Sequence, residues 1–375
     1  MLLNYISKST TKHLLIKHAK NRVKCTTTKL FSTAGRNGLV KPNIGVVGAT
    51  GAVGIEMRNC LEALNFPYNE CSFFAHPSEE GDEVIFDNNK FSCKVVDESS
   101  FNNLDIVLFS AGGDFSKTWA PIAASAGCIV VDNSSEFRMD PNVPLVVPEV
   151  NGHAVKAHQN IIANPNCTTI LMNVPVYPLH KAFGVERAVV STYQAASGAG
   201  LDAMKELEQQ AADWVNQKPL TQDIFGRQYI FNLFNHNAPI YEDNEGYNEE
   251  EMKMIEETPK IFEEDFKVAI TCVRVPVLRA HCESINLQFK QPVTLEEVYE
   301  VFENAPGIRL VDDRKNNKHP EPQDASGLHD ILVGRVRYDQ SLDKGTGIEF
   351  FIAGDQLLKG AALNAVQIAE LLLEK

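Results

Sequence analysis

The chain has 375 residues, 44% of them hydrophobic and 22% charged, and a net charge of −14. That size and composition call for a packed globular core, in one large domain or two. The acidic balance argues against a nucleic-acid surface spread over the molecule, and no apolar run is long enough to cross a bilayer. Residues 1–42 stand apart: they contain no Asp or Glu, but nine Lys or Arg and nine Ser or Thr. A basic, hydroxyl-rich, acid-free stretch has the composition of an organellar transit peptide. A mitochondrial address is expected, with plastid or cytoplasm as alternatives and an untargeted basic tail as the plainer reading.

From Asn43 the texture is globular. "NIGVVGATGA" is a short apolar run ending in glycines, and "VGIEMRNCLEAL" continues with helical spacing. Apolar runs recur at "ECSFFA", "FSCKVV", "DIVLFS" and "CIVVD", with helix-like stretches such as "DFSKTWAPIAASAG" between several of them. This alternation predicts a parallel α/β sheet of buried strands. After Cys167, "TTILMNVPVYPLHKAF" reads as a helix carrying two prolines. "ERAVVSTYQ", "KVAITCVRVPV" and "ESINLQFKQPV" read as longer strands of a mixed or antiparallel sheet. "NEEEMKMIEE" and "TLEEVYEVFENA" are predicted helices, and 311–327 a polar surface loop. "LLKGAALNAVQIAELLLEK" is read as an amphipathic helix packing back on the first domain. The predicted fold is α/β: a Rossmann-like dinucleotide-binding domain from 43–165 plus 355–375, and an α+β catalytic and dimerisation domain with a mixed sheet at 166–354.

Gly48, Gly51 and Gly54 follow a strand and open a helix, with Thr50, Ala52 and Val53 between them. Glycines there let the backbone turn sharply and approach a pyrophosphate, whose charge sits on free N–H groups at the helix N-terminus. A tight turn without ligand is the alternative. An acidic residue about twenty positions on binds ribose hydroxyls. Ser78 and Glu79 follow the second strand, with Glu80 and Asp82 nearby and no Arg or Lys to meet a 2′-phosphate. On residues alone this end suits NAD.

Eight cysteines form no CxxC pair and no metal spacing with histidine, so reduced thiols and no metal are expected. One, Cys167, lies between Asn164-Pro165-Asn166 and Thr168-Thr169 at the predicted start of a helix. That placement lowers a thiol pKa and offers N–H groups to an oxyanion, so a nucleophile is expected beside the plainer reading of a structural cysteine. His281 is a candidate acid or base. Arg274, seven residues earlier, is read onto the same strand segment. Glu250 and Lys253 are spaced i, i+3 on one helix, where a salt bridge is the bland reading. Arg138 follows a strand end, where α/β sheets place ligands; a surface charge is its alternative.

"GATGAVG", "DNSSEFRMD", "VPLVVPEVN", "NPNCTT", "YQAASGAG", "EEMKMIEET", "RVPV" with the nearby His, and "KGAALNAVQIAELL" occur in this order. Together they resemble the aspartate-semialdehyde dehydrogenases, over about residue 43 to the C-terminus. The resemblance implies reduction of L-4-aspartyl phosphate to L-aspartate 4-semialdehyde, with release of phosphate, on the way to threonine, methionine, isoleucine and lysine. It implies Cys167 as the nucleophile forming a thioacyl intermediate, His281 as acid/base and Gln194 as a positioning group. Arg274 and Glu250 would bind the amino-acid end, and Arg138, Asn166 and Lys253 the phosphate. Ser197, Gly198 and Gln356 join the glycine loop as implied cofactor contacts. NADP is the family default, against which the acidic second-strand end leaves NAD or dual use. A homodimer or homotetramer is implied, and neither nucleic acid nor membrane. The pattern departs from the family at Ala75-His76-Pro77-Ser78-Glu79, where Ser78 replaces an Arg, at Asp355-Gln356, and at Thr258-Pro259-Lys260. Another acyl-phosphate reductase on the same fold, or a dinucleotide-binding regulator, would share parts of the pattern.

Overall fold

The structure is a computed structural model that describes residues 41–373; all but the last two residues of the expected transit peptide lie outside the described residues. β1 (Ile44–Val47) is buried along its whole length and ends at Gly48, whose φ of +77° turns the chain into α1 (Ala52–Ala63). β2 (Cys71–Phe74) follows. Next comes a hairpin of β3 (Glu83–Phe86) and β4 (Asn89–Ser92), then β5 (Ile106–Phe109), α2 (Gly113–Ser125), β6 (Ile129–Asp132), the short α3 (Pro148–Asn151) and β7 (Ile161–Ala163). Five of these strands form a parallel sheet in the order β2-β1-β5-β6-β7. Helices cover it, which is why its strands are near-continuous apolar runs. "FSCKVV" is an exception among the predicted strands. Only Phe91 and Ser92 of it are in a strand, and that strand belongs to the separate antiparallel hairpin, where Asn89, Lys90 and Ser92 meet solvent.

α4 (Cys167–Phe183) starts the second half, capped by the Asn166 side chain and closed by Gly184 at φ +70°. β8 (Val185–Gln194), α5 (Leu201–Val215), β9 (Phe234–Asn235), α6 (Glu249–Phe262), β10 (Lys267–Arg274) and β11 (His281–Phe289) follow. α7 (Leu295–Asn304), β12 (Ile308–Leu310), α8 (Pro322–Ala325), β13 (Ile331–Tyr338) and β14 (Gly347–Gly354) complete the sheet region. The sheet is mixed, as expected, in the order β12-β13-β14-β11-β8-β10-β9. Period-two alternation puts Ile285, Leu287 and Phe289 on the face that packs against Ile170, Leu171 and Val174 of α4. Pro175 and Pro178 sit inside α4 without ending it.

The C-terminal stretch differs from its predicted form. It opens with a π turn, Leu358–Ala362, continues as α9 (Leu363–Leu371), and is buried on nearly every side rather than on one stripe. Its polar residues are satisfied internally: the Lys359 ammonium meets Glu149 at 2.5 Å, Gln367 at 2.7 Å and Asn364 at 2.9 Å. Leu363, Val366 and Ile368 join Ile44, Met57 and Leu61 in the core beneath the parallel sheet. The final chain segment thus returns to the first sheet, and in passing lays its π turn against the start of α4.

Candidate active site

Three neighbouring strands deliver the polar groups of the site to one edge of the mixed sheet. Gln194 ends β8 and pairs with Arg274 at the end of β10. On the other side of β8, antiparallel β11 begins at His281. Arg274 and His281 therefore lie on different strands, not on the single segment read from sequence. The intervening Val275–Ala280 turns the chain, with Ala280 at φ +73° and its N–H held by Gln356 Oε1 at 3.0 Å. Gln194, Arg274 and His281 are all buried.

Opposite this edge stands the N-terminus of α4. Asn166 accepts from the Thr168 and Thr169 N–H groups at 3.1 and 3.3 Å. Its amide donates to Glu250 Oε1 at 3.0 Å, the same oxygen that takes the Gln194 amide at 3.1 Å. Of the run Glu249-Glu250-Glu251, Glu250 is the one that enters the site; Glu251 instead bonds the Asn248 and Cys272 N–H groups. Burial opposes charge on Glu250, but His236, Lys253 and the two amides together hold its pKa down at about 2. Lys253 lies 2.8 Å from Glu249 and 3.6 Å from Glu250, so it forms the intrahelical salt bridge and stands beside the carboxylate that bonds Asn166 and Gln194.

Cys167 is half-buried at the first position of α4. The expected lowering of its pKa does not occur. Burial and the Glu250 carboxylate push the thiol up to about 12, outweighing Arg274, Arg138 and the Thr168 N–H, which act in the other direction. The helix terminus is present, but desolvation and a neighbouring anion are stronger. His281 Nδ1 accepts the Ala195 N–H at 3.0 Å, while Nε2 has no partner among the described residues. Burial, then Arg274, drives the imidazole well below its usual pKa, so it is neutral. Among the described residues Arg274 donates once, to Ala195 O at 2.9 Å, and its buried Nε has no partner. Gln194 Oε1 is likewise buried and unpartnered. A Cβ on Gly198 would stand 3.0 Å from both Arg274 Nη1 and His281 Nε2, so the glycine keeps those two heads uncovered.

Arg138 is neither a surface charge nor a freely presented anion receptor. All three of its nitrogens donate inward: to Asn164 O at 3.0 Å, Asn133 O at 3.0 Å and Glu257 Oε1 at 3.1 Å. Glu257 also accepts the Asn166 N–H at 2.7 Å. It is buried, and it ties Arg138 to the residue that caps α4. Sequence reading missed Glu257, although it lies seven residues after Glu250, on the same helix face. It also missed His236, which adjoins Glu250 and His281, and Gly360, where a Cβ would come 3.0 Å from that of Cys167. The spacing i, i+7 was a usable signal for Glu257; nothing local marks the other two. Gln356 bonds Ser197, joining two implied cofactor contacts to the catalytic edge through Ala280.

The glycine loop forms the second cluster. A Cβ on Gly48 would lie 2.2 Å from Ser110 O, and one on Gly54 2.0 Å from Gly48 O, so both glycines are needed for close backbone packing. Gly51 caps α1 with no side chain over the helix N-terminus, and Gly112 does the same for α2. Thr50, Ala52 and Val53 complete the loop. Thr50 donates to Glu79 Oε2 at 2.8 Å, which places this carboxylate beside the loop; Ser78 bonds His76 instead. Two open helix ends beside carboxyl ends of parallel strands fit a pyrophosphate, and Glu79 fits a ribose diol. Arg279 then links the clusters: it bonds Glu56 of α1 and Asp355, each at 2.7 Å.

Residues 43–158 match the semialdehyde dehydrogenase NAD binding domain, and 176–359 the semialdehyde dehydrogenase dimerisation domain. The chain is 50% identical over 333 residues to an aspartate-semialdehyde dehydrogenase of Synechocystis, covering 88% of this chain and 97% of that protein.

It belongs to the aspartate-semialdehyde dehydrogenase family.

A family member from Aquifex aeolicus is 45% identical over 88% of this chain and 98% of its own. Among solved structures, aspartate semialdehyde dehydrogenase II from Vibrio cholerae, complexed with ASA, superposes with a TM-score of 0.85 at 42% identity. That match covers 89% of this chain and 98% of the other. The family assignment makes the chain an oxidoreductase that uses a nicotinamide dinucleotide.

Proposed function

We propose that this chain reduces L-4-aspartyl phosphate to L-aspartate 4-semialdehyde, releasing phosphate, in the biosynthesis of threonine, methionine, isoleucine and lysine. The observation that carries the reading is that a sheet edge bearing an under-used guanidinium and an uncovered imidazole edge faces the N-terminus of α4, whose first residue is Cys167. A carboxylate resists hydride, whereas a thioester accepts it, so dividing the reaction at Cys167 replaces one difficult step by two easier ones. Arg274 presents a planar fork to the substrate α-carboxylate. Glu250, ionised, receives the α-ammonium and orients the Asn166 and Gln194 amides. Lys253 and the remaining N–H groups of Arg138 hold the phosphate. His281 turns its Nε2 edge to the reacting carbonyl oxygen, and Gly198 leaves room for it. A nicotinamide dinucleotide, when bound along Gly48–Gly54 and toward Ser197 and Gln356, supplies the hydride.

Cofactor choice follows from Glu79. Its carboxylate, anchored by Thr50, suits a ribose 2′-hydroxyl and repels a 2′-phosphate, so NAD or dual use is the reading rather than strict NADP. The dimerisation-domain match supports a homodimer or homotetramer, and the acid-free leader a mitochondrial address; import of a reporter fused to residues 1–42 tests the latter. The reaction is tested in reverse. With aspartate semialdehyde, phosphate and either oxidised nucleotide, reduced nucleotide should form through repeated turnover only when phosphate is present, with no more than one equivalent per chain in its absence, and Cys167→Ser should abolish both. Activity with a different acyl phosphate and none with this one would move the chain to another reductase. A large preference for the 2′-phosphorylated nucleotide would refute the role of Glu79.

A further inference from the structure

We propose that Arg279 is a positioning residue for hydride transfer: it sets the spacing between the helix that receives the nucleotide and the edge that holds the substrate. This rests on the chain being the nicotinamide-dependent reductase proposed above. The guanidinium stands between two carboxylates from distant parts of the fold. Nη1 donates to Glu56 Oε1 at 2.7 Å and Nε to Asp355 Oδ2 at 2.7 Å. Glu56 belongs to α1, whose open N-terminus at Gly51 fits a pyrophosphate. Its second oxygen accepts the Asn59 amide at 3.0 Å, which steadies the carboxylate from within the helix. Asp355 lies between β14 and the π turn, with its side chain fully buried.

The backbone of Arg279 is tied down as well. It lies two residues before the start of β11, its carbonyl accepts Ser326 Oγ at 3.3 Å, and the next N–H, of Ala280, goes to Gln356. Asp355 carries the link further. Oδ2 also accepts the Gly327 N–H at 2.7 Å, and Oδ1 accepts the N–H groups of Leu357 and Leu358 at 3.0 and 3.3 Å. Leu358 opens the π turn whose Gly360 lies against Cys167. One side chain thus holds α1, the start of β11 and the π turn against each other. Among the described residues no other ion pair joins α1 to 166–354.

The charge balance explains why the spacing depends on this cation. The Asp355 side chain is fully buried and that of Glu56 is 13% exposed. Without the guanidinium, two carboxylates would face each other across its place with little water to screen them. Asp355 is held by three N–H groups, so Glu56 is the one that yields, and α1 backs away with it. The glycine loop moves with α1, and nucleotide affinity survives. Hydride transfer does not, because a misplacement of about 1 Å can cost about a hundredfold.

The test mixes aspartate semialdehyde with the full chain and saturating oxidised nucleotide, without phosphate, and follows the first turnover. Hydride then passes from the aldehyde carbon to the nicotinamide once per chain. No burst of reduced nucleotide in the parent, or a burst that survives Cys167→Ser, removes the reductase reading itself. With a cysteine-dependent burst, Arg279→Met should slow it by about ten- to a hundredfold. Deuterium on the aldehyde carbon should slow it further, and the nucleotide dissociation constant should stay near the parent's. Arg279→Lys keeps the charge without the fork and should recover part of the rate. Glu56→Gln leaves Arg279 on Asp355, should slow the burst in the same direction and should add little to Arg279→Met; it carries the test if Arg279→Met does not fold. In the ligand-free protein, amide hydrogen exchange should quicken in α1 of Arg279→Met and stay unchanged in α2. A variant burst at the parent rate or insensitive to deuterium, an affinity loss as large as the rate loss, or exchange quickened equally in both helices overturns the proposal.

Discussion

Glu257 is the residue on which the placement of the nucleophile most depends without touching it. Its two oxygens hold Arg138 Nη1 at 3.1 Å and the Asn166 N–H at 2.7 Å, with the Arg138 side chain 9% exposed and its own 1%. Glu257→Gln conserves shape but turns an N–H₂ toward one of those two donors. Stranding one partner of a buried ion pair costs about 3–5 kcal/mol. Here the guanidinium keeps its bonds to Asn164 O and Asn133 O, so the lower end, about 3 kcal/mol, is expected. Equilibrium urea unfolding reads this as a lower midpoint at unchanged slope. Glu256→Gln, one residue earlier and exposed, should stay within about 0.5 kcal/mol of the parent. Because Asn166 caps α4, kcat should fall as well, and Arg138→Met combined with Glu257→Gln should cost less than the two changes summed. A Glu257→Gln protein as stable as the Glu256→Gln control would refute the reasoning.

Two further outcomes follow from buried groups. Glu283 sits on β11 with both oxygens buried and without a partner among the described residues, and burial drives its pKa well above the usual range. Its folded pKa exceeds its unfolded one, so its contribution is complete below about pH 4.3 and is lost as pH rises, by up to about 1.4 kcal/mol per unit. Glu283→Gln, which does not titrate, should therefore be the more stable protein at neutral pH, with the difference shrinking toward pH 4 in parallel melts; a pH-independent difference contradicts this. Gly360→Ala should lower the acylation rate, because its Cβ would press on Cys167 and Gln356 at 3.0 and 3.2 Å. A variant acylated at the parent rate would contradict this.

What the sequence made legible was local. The glycine loop and the capped cysteine each declare themselves within a few residues, because turn, cap and helix start are short-range geometry. Gln194, Arg274 and His281 could be named through resemblance. Their meeting at one edge depends on strand order β11-β8-β10, which no local pattern encodes. The same limit explains the thiol. Helix position predicted a lowered pKa, but burial raises it, helped by Glu250, which is 83 positions away in sequence and brought alongside by the packing of α6 on α4. The C-terminal helix was misread as one-sided because its polar residues, Lys359 and Asn364, are satisfied by buried partners rather than by water.

The sulfur's covalent role can be weighed directly. Incubation with aspartate semialdehyde and oxidised nucleotide in the absence of phosphate should add one aspartyl acyl group per chain, on the peptide that holds Cys167, and phosphate should then discharge it. An unmodified chain, or the group on another cysteine, would contradict the account.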